Sequence, residues 1–341
     1  MRTGRAQGFT VGVLWGFRDR KELEDNHADV IIENPLNCWN FYRQTAGHTP
    51  RKIPYAPMRA DRSVMIKLIA SDIDGTLIPD STPNLYPEIV EEIKSLAERG
   101  VIFCGASGRQ LCSIQNVFRE VSDKICYIAE NGAHIHYKGE DISLTSMDRE
   151  YAEQIIHQLR GLGNEYEFVV STPHGSLLET KNRTFLDMMK YGYHNTFRQV
   201  EDVLAQEAVI LKVAVYHRGS IRQLGEEVLI PQWGEKVQTC VAGEEWVDFM
   251  DASVDKGNAL RILQDYFGVS REETMAFGDN TNDIGLMKAA GFSYAVENAR
   301  PEVKEAARFI CPSYLEKGVW KVISEKCGPS GSEDEKRSAG I

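Results

Sequence analysis

Two carboxylates, Asp72 and Asp74, stand at the end of the short apolar run 68–70 and are followed by Gly75 and Thr76. Residues two apart in an extended strand point the same way, so both carboxylates face one small volume. An apolar strand that ends in acid and then glycine is typical of the carboxyl edge of a parallel sheet, where α/β folds bind their ligands. Two anions this close repel each other, so the pattern predicts a positive partner: a hard cation, a lysine, or both.

Three further polar clusters each follow a predicted strand or open a predicted helix. They are Ser107-Gly108, Lys256, and Asp279 with Asn282 and Asp283. Because the carboxyl ends of parallel strands meet at one edge of a sheet, these clusters are expected to converge on Asp72 and Asp74. Together with Asp279 these two form an oxygen-only set suited to Mg²⁺, which takes one or two carboxylates plus substrate phosphate.

The chemistry of the clusters is complementary and favours phosphoryl transfer. The Ser107 hydroxyl can donate to a phosphate oxygen, and amides at a helix start add further donors. Lys256 is a compact charge suited to a phosphoryl group and to a neighbouring carboxylate. A carboxylate can also attack phosphorus and form an aspartyl-phosphate.

The elements that would position these clusters alternate between strand and helix from Met65 onward. Apolar periodicity predicts strands near 68–70, 101–106, 125–129 and 274–277, and helices near 87–99, 111–118 and 255–267. Strands separated by helical stretches indicate an α/β fold with a Rossmann-like, doubly wound parallel sheet.

The regular alternation of predicted strands and helices is interrupted across residues 146–246. This block predicts an inserted α+β cap that sets substrate specificity. The catalytic core then comprises residues 65–145 plus 247–327. The polar tail 328–341 has the composition of a disordered segment.

Residues 1–64 are unlike the rest of the chain. Strands are predicted near 10–15 and 28–32, and the segment 10–36 resembles the carboxyl-terminal tail of a phosphoglycolate phosphatase. The favoured interpretation is an upstream coding tail joined in front of a natural start at Met65; the alternative is a decoration that packs on the main domain. Under either interpretation we expect a poorly ordered or loosely packed extension without catalytic residues.

Composition limits the function classes. The chain has 341 residues, 42% hydrophobic and 26% charged, as expected for a soluble globular protein. No apolar run approaches the roughly 18–20 residues of a membrane span. A formal charge of -11 disfavours nucleic acid and anionic membranes as partners. The seven cysteines lack paired short spacings, which predicts reduced thiols and a cytoplasmic location. We expect a monomer or weak homo-oligomer.

The clusters and their order resemble the motifs of the haloacid dehalogenase superfamily over about residues 65–325. The matching segments are Asp72-Ile73-Asp74-Gly75-Thr76, Ser107-Gly108-Arg109, Lys256, and Gly278-Asp279-Asn280-Thr281-Asn282-Asp283. Ser107 stands where relatives often have threonine, and the hydroxyl is retained. The cap between the second and third motifs, and the run 130–132 before it, are similar to the Cof-type phosphatases.

This resemblance implies a role for each matched residue. Asp72 is the nucleophile and a metal ligand. Asp74 is general acid for the leaving group, then base for the attacking water, and binds Mg²⁺ through its main-chain carbonyl. Asp279 also ligates the metal, and Asp283 supports the metal site without binding the ion itself. The phosphate is held by Ser107, Gly108, Lys256 and Asn282, and Lys256 also counts as catalytic.

The resemblance therefore implies Mg²⁺-dependent hydrolysis of phosphate monoesters of small metabolites, such as sugar phosphates or phosphorylated cofactors. Two alternatives use the same residues differently. A phosphomutase would return the phosphoryl group to its substrate. A non-catalytic module that binds phosphorylated metabolites would not need Asp72 or Asp74.

Other polar residues have weaker signals. Arg109 is equally consistent with a carboxylate partner and with a solvated helix residue. His134 and His136 alternate in a strand, but two histidines without a third ligand at suitable spacing favour hairpin residues over a metal pair. In the cap, Glu179 and the pair 182–183 are consistent with substrate contact or with a solvated loop.

Overall fold

The computed structural model describes residues 65–79 and 84–328, together with the backbone of three short strands, β1 (Arg5–Ala6), β2 (Phe9–Val13) and β3 (Val30–Ile32). The chain divides into two units, Met1–Ala56 and Pro57–Ile341. In the first unit β2 pairs antiparallel with β1 and parallel with β3. The predictions for the remainder of residues 1–64, and for the tail beyond residue 328, lie outside the described residues.

The larger sheet of the second unit has eight strands. They are β4 (Leu68–Asp72), β5 (Ile102–Ala106), β6 (Cys126–Ala129), β7 (His134–Tyr137), β8 (Glu140–Leu144), β15 (Thr274–Gly278), β16 (Phe292–Val296) and β17 (Phe309–Cys311). Their order is β17-β16-β15-β4-β5-β6-β7-β8. The pairs from β17 to β6 are parallel, and β7 and β8 add an antiparallel hairpin at one edge.

The junction between β4 and β15 is the topological switch point of this sheet. From β4 the chain continues to β5 and β6 on one side, and it returns later to build β15, β16 and β17 on the other. Open α/β sheets bind ligands at the carboxyl ends of the strands that flank such a point. The predicted α/β fold with a doubly wound parallel sheet is confirmed.

Amphipathic helices complete the core around this sheet. They are α1 (Pro87–Glu98), α2 (Leu111–Val117), α7 (Lys256–Phe267), α8 (Ile284–Ala289), α9 (Pro301–Ala306) and α10 (Gly318–Cys327). In α1, for example, Ile89, Ile93 and Leu96 are buried on one face, and Pro87 starts the helix at a position that needs no amide donor. Short 3₁₀ turns cover Glu130–Gly132, Arg271–Glu273, Thr281–Asp283 and Tyr314–Glu316.

A second, smaller sheet is formed by the chain between β8 and α7. Its strands are β9 (Tyr166–Thr172), β10 (Gly175–Leu178), β11 (Phe197–Gln199), β12 (Lys212–His217), β13 (Gln238–Ala242) and β14 (Trp246–Met250). Their order is β11-β10-β9-β12-β14-β13, and all neighbours are antiparallel except β10 and β11.

Helices of this inserted region pack with its sheet around two further apolar clusters, one that includes Trp233 and Phe249 and one that includes Phe185. They are α3 (Arg149–Arg160), α4 (Arg183–Asp187), α5 (Arg222–Leu224) and α6 (Ile230–Trp233), with π-helical turns at Met188–Gly192 and Gly225–Leu229. We call the inserted sheet with these helices the cap; its exact boundaries stay a prediction. Across the described ranges, no helix is both long and apolar enough to cross a bilayer.

Candidate active site

The carboxyl ends of β4, β5 and β15 open into a cavity of about 700 Å³ whose opposite wall is the cap sheet. This volume lies in the range of small-molecule sites. Of the predicted site residues, those that line it are Asp72, Asp74, Ser107, Gly108, Asp279 and Asn282. Lys256 and Asp283 are buried and bond to Asp72 or to each other. The structure therefore brings all eight together, and their individual roles stay predictions.

Lys256 lies between two carboxylates in the interior of the core. Its Nζ is 2.6 Å from Asp72 Oδ1 and 2.7 Å from Asp283 Oδ1. Asp255 caps α7 by accepting from the amides of the second and third helical residues, which places Lys256 as the first residue of that helix. Burial opposes the charge on Lys256, but Asp283 and Asp72 outweigh it and raise the pKa of this lysine.

The segment after β15 is folded tightly around Asp283. Its Oδ2 accepts hydrogen bonds from the amides of Asp279 and Asn280, at 3.0 and 3.1 Å. Asp279 is in turn fixed against the end of β4, because Thr76 Oγ1 donates to its Oδ1 at 2.7 Å. Gly75 has φ +77°, and a Cβ there would lie 2.8 Å from Asp279 Oδ2. Glycine is therefore required at this close approach.

Three carboxylates lie close together beside Lys256. Ligand atoms of Asp72, Asp279 and Asp283 all lie within 4.8 Å of one another. Burial and the nearby Asp283 raise the pKa of Asp72 well above its usual range, and the same causes raise that of Asp279 to about 6. This surplus of negative charge and the oxygen-only donor set fit a hard divalent cation.

Asp74 is held by Arg109 in a two-pronged ion pair. The Nε of Arg109 donates to Oδ2 at 2.7 Å and its Nη2 donates to Oδ1 at 2.5 Å. The amide of Arg109 also donates to Ser107 Oγ at 3.2 Å, so the turn after β5 joins the second motif to the first. Of the two interpretations open from the sequence, Arg109 is thus the carboxylate partner.

A second buried lysine, Lys212, connects the cap to the core and was missed from the sequence. Its Nζ is 2.6 Å from Glu130 Oε2 and 3.4 Å from Asp248 Oδ2, and it donates to the carbonyl of Gly108 at 2.7 Å. Burial opposes this charge too, but the two carboxylates raise the pKa of Lys212. A lysine opening the apolar strand run of β12 was the available signal, since lysine is rarely buried unpaired.

Asn131 connects the cap and the fourth motif in the same region. Its side-chain amide donates to Asp248 Oδ2 at 2.9 Å and its Oδ1 accepts from Asn282 at 3.0 Å. Both Glu130 and Asn131 adopt positive φ, at 50° and 57°. Non-glycine residues rarely hold this conformation, and strained turns of this kind cluster at functional sites.

The cap contributes an aromatic wall formed by Tyr193 and Trp246. Trp246 Nε1 donates to the Tyr193 hydroxyl at 3.1 Å, and Tyr216 packs against Trp246 with ring centroids 4.9 Å apart. Ser113 of α2 donates to the carbonyl of Tyr193 at 2.6 Å, which ties this wall to the core. Tyr193 and Trp246 both line the cavity.

The cap residues singled out from the sequence lie elsewhere. Glu179 pairs with Arg160, and Asn182 caps α4 by accepting from the amide of Phe185 at 3.3 Å. Neither these two nor Arg183 is among the described residues that line the cavity. Within the described region they therefore belong to the periphery of the cap.

Comparison with known proteins identifies the family of this chain. The sequence model of the haloacid dehalogenase-like hydrolases matches residues 69–323. The chain belongs to this family. The predicted superfamily and its Cof-type branch are therefore confirmed. Members of the family typically use a metal ion, which agrees with the carboxylate cluster.

Three relatives illustrate the similarity. The 5-amino-6-(5-phospho-D-ribitylamino)uracil phosphatase YbjI of Escherichia coli is 26% identical over 260 residues, covering 76% of this chain and 96% of that protein. The HMP-PP phosphatase of Citrobacter koseri is 27% identical, covering 70% of this chain and 87% of that protein. A crystal structure from Eubacterium rectale is 35% identical with a TM-score of 0.69, covering 76% of this chain and 99% of that one.

Proposed function

We propose that this hydrolase is a Mg²⁺-dependent phosphatase that cleaves phosphate monoesters of small metabolites through an aspartyl-phosphate on Asp72. The observation that carries the proposal is the buried ion pair of Lys256 with Asp72 at the switch point, where Asp72 and the neighbouring Asp279 line the cavity. The named relatives support it, since two of them are called phosphatases of small phosphorylated compounds.

Asp72 is the proposed nucleophile. Lys256 fixes one of its carboxylate oxygens and so orients the group toward the cavity. A carboxylate oxygen attacks phosphorus, the bond from phosphorus to the leaving oxygen breaks, and that oxygen takes a proton from Asp74. Water then gives a proton to Asp74 and attacks the same phosphorus, which releases inorganic phosphate and restores the Asp72 carboxylate.

Arg109 positions Asp74 for these proton transfers. The two-pronged contact fixes the plane of the carboxylate beside the cavity. For the first step Asp74 must carry a proton, so the Arg109 contact has to loosen when the leaving group binds. Arg109 is therefore a positioning residue whose loss should alter the pH dependence of turnover.

The transferring phosphoryl group is held by donors from three elements. Ser107 and Gly108 follow β5, and Asn282 lies in the turn after β15. Lys256 has three donor protons, and in the described region its contacts with Asp72 and Asp283 use two, which leaves one for a phosphate oxygen. Mg²⁺, held by Asp72, Asp279 and the carbonyl of Asp74, supplies charge neutralisation for the transferring group when bound.

The cap selects the leaving group in this proposal. The phosphate lies at the charged core edge, and the remainder of the substrate packs on Tyr193 and Trp246. This wall is amphipathic, because the rings are apolar while the hydroxyl and indole nitrogen are polar. It suits a sugar phosphate or a phosphorylated cofactor with a ring system.

A phosphate-release screen tests the proposal. The full chain is incubated with sugar phosphates and phosphorylated cofactors in the presence of Mg²⁺, and inorganic phosphate is measured. We expect release from a subset of the panel, which EDTA stops and added Mg²⁺ restores. Release that EDTA does not affect, or none from any compound, would contradict the proposal. Transfer of the phosphoryl group within the substrate, without free phosphate, would identify a phosphomutase instead.

A further inference from the structure

The hairpin of β7 and β8, at the edge of the large sheet, carries a cluster of three potential metal ligands outside the active site. His134 and His136 are two apart in β7 and so project from the same face of the strand. The sequence offers no third ligand at regular spacing. In the structure Asp141 of β8 supplies one, and its Oδ1 lies 2.7 Å from His134 Nε2 and 2.7 Å from His136 Nδ1.

A β-bulge is what brings Asp141 to this face. Ile135 pairs with Ser143, but the register then shifts so that His136 pairs with Asp141. Ile142 is left between the two pairs without a partner. Directly paired residues point to the same face, so regular pairing would have placed Ile142, and not Asp141, beside His136. Bulges commonly re-aim a side chain in this way.

We propose that His134, His136 and Asp141 form a binding site for a transition-metal ion of the Zn²⁺ class, independent of the catalytic carboxylates. Candidate ligand atoms of the three residues lie within 4.8 Å of one another. Two imidazoles with one carboxylate are a donor set that Zn²⁺ and its neighbours prefer, whereas Mg²⁺ prefers oxygen alone. The hairpin and the active site therefore select different ions.

The geometry needs only a small adjustment to admit an ion. Ligands bound about 2.1 Å from a tetrahedral ion lie about 3.4 Å from one another. The nitrogen-to-oxygen distances of 2.7 Å must therefore open by less than about 1 Å. His134 is 3% exposed, whereas Asp141 is 35% exposed on the edge strand, so the carboxylate is the ligand expected to move. Water would complete the coordination.

The position of the site suggests what the ion would stabilise. His134 lies two residues after the strained turn Glu130–Gly132, whose Asn131 bonds the cap and the fourth motif. An ion that joins both strands of the hairpin would restrain the strand that leaves this turn. The bound ion would thus stabilise the hairpin and take no part in phosphoryl transfer.

Metal titration of the full chain tests this proposal. The protein is stripped with a chelator, dialysed, and titrated with Zn²⁺ by calorimetry and with Co²⁺ by visible absorption. An excess of Mg²⁺ is present throughout to fill the oxygen-only catalytic site. We expect one Zn²⁺ or Co²⁺ per chain, with a cobalt spectrum that lacks the charge-transfer band of thiolate ligands.

Two variants at partly exposed positions and one control locate the ion. His136→Gln and Asp141→Asn should each weaken binding by more than about 10–100-fold, the loss seen when only a ligand's supporting partner is removed. His157→Gln changes an exposed histidine of α3 and should leave binding unchanged. Circular dichroism verifies that each variant is folded.

Absence of the ion, or its presence elsewhere in the chain, would overturn the proposal. The first result is a native chain that takes up no Zn²⁺ or Co²⁺ in the presence of Mg²⁺. The second is uptake that persists in both folded hairpin variants, or a thiolate band, either of which places the ion elsewhere. In these cases His134, His136 and Asp141 would only form hydrogen bonds between the two strands of the hairpin.

Discussion

Two buried lysines, Lys256 in the core and Lys212 in the cap, have nearly the same local surroundings and different consequences for function. Each lies between two carboxylates and is held charged by them. The pairs are Asp72 with Asp283, and Glu130 with Asp248. Burial and pairing alone therefore do not separate a catalytic lysine from a structural one.

The difference lies in the remaining charge and the remaining donors. Around Lys256 a third carboxylate, Asp279, leaves a surplus of negative charge that fits a metal ion. In the described region the contacts of Lys256 use two of its three protons, whereas those of Lys212 include Glu130, Asp248 and the carbonyl of Gly108. Among the described residues Lys212 thus has three partners, whereas Lys256 has two, both of them carboxylates.

Of the two lysine variants, Lys256→Met should give the larger effect on chemistry. It removes the charge beside the nucleophile and the donor to the phosphate, so turnover is expected to fall by about 10³-fold or more. Phosphate release measured on protein with a native circular-dichroism spectrum checks this. Turnover within tenfold of the native protein would mean that Lys256 is only a structural ion pair, like Lys212.

Lys212→Met should show the converse behaviour. Glu130 and Asp248 would remain buried without a counter-charge, so the free energy of unfolding should fall by about 3–5 kcal/mol. Turnover of the protein that remains folded should fall less than in Lys256→Met, because the contacts of Lys212 are with Glu130, Asp248 and the Gly108 carbonyl and not with the proposed nucleophile. Denaturant unfolding and phosphate release on the same samples decide this. Unchanged stability with lost turnover would reverse the assignment of the two lysines.

The surplus charge at the core lysine predicts a pH dependence of stability in the metal-free protein. The pKa of Asp279 is about 6 in the folded chain against an ordinary 3.8, so the folded state binds this proton more tightly than the unfolded state. Its contribution is present below about 3.8 and is lost as the pH rises through about 6.

Asp279→Asn isolates this contribution from other titrating groups. With EDTA present, the free energy of unfolding of the native chain should fall more steeply between pH 4 and about 6 than that of the variant. Denaturant titrations at several pH values measure the difference. Curves of equal slope for the two proteins would show that the neighbours of Asp279 do not raise its pKa.

The smallest expected effect concerns the cap wall. Trp246→Leu should raise KM by about tenfold, the equivalent of about 1.4 kcal/mol of lost ring contact, with a small change in kcat. Tyr193→Phe is the matched control, since it keeps the ring and removes only the hydroxyl that Trp246 contacts. Steady-state kinetics on a substrate from the screen measures both. A fall in kcat with constant KM would show that Trp246 acts in the chemical step and not in substrate selection.

The core side of the site was predictable because its signals are local. Asp72 ends β4, Ser107 follows β5 and Asp279 follows β15, and a parallel sheet brings such positions together whatever the loops between them do. Lys256 follows the same logic as the first residue of a capped helix.

The cap side was not predictable in the same way. Lys212 and Asp248 lie on the paired strands β12 and β14 of the cap, and only the packing of the cap on the core brings Glu130 beside them. The third ligand of the hairpin cluster was hidden for another reason. Asp141 reaches His136 through a bulge, and a one-residue shift of register leaves no trace in regular spacing.

The central claim is that Asp72 becomes phosphorylated during turnover. Native enzyme mixed with a substrate from the screen is quenched in acid, digested, and analysed by mass spectrometry. The account predicts one phosphoryl group on the peptide that contains Asp72, none in Asp72→Asn, and turnover of that variant lowered by at least about 10⁴-fold. A phosphoryl group on another residue, or undiminished phosphate release by Asp72→Asn, would contradict it.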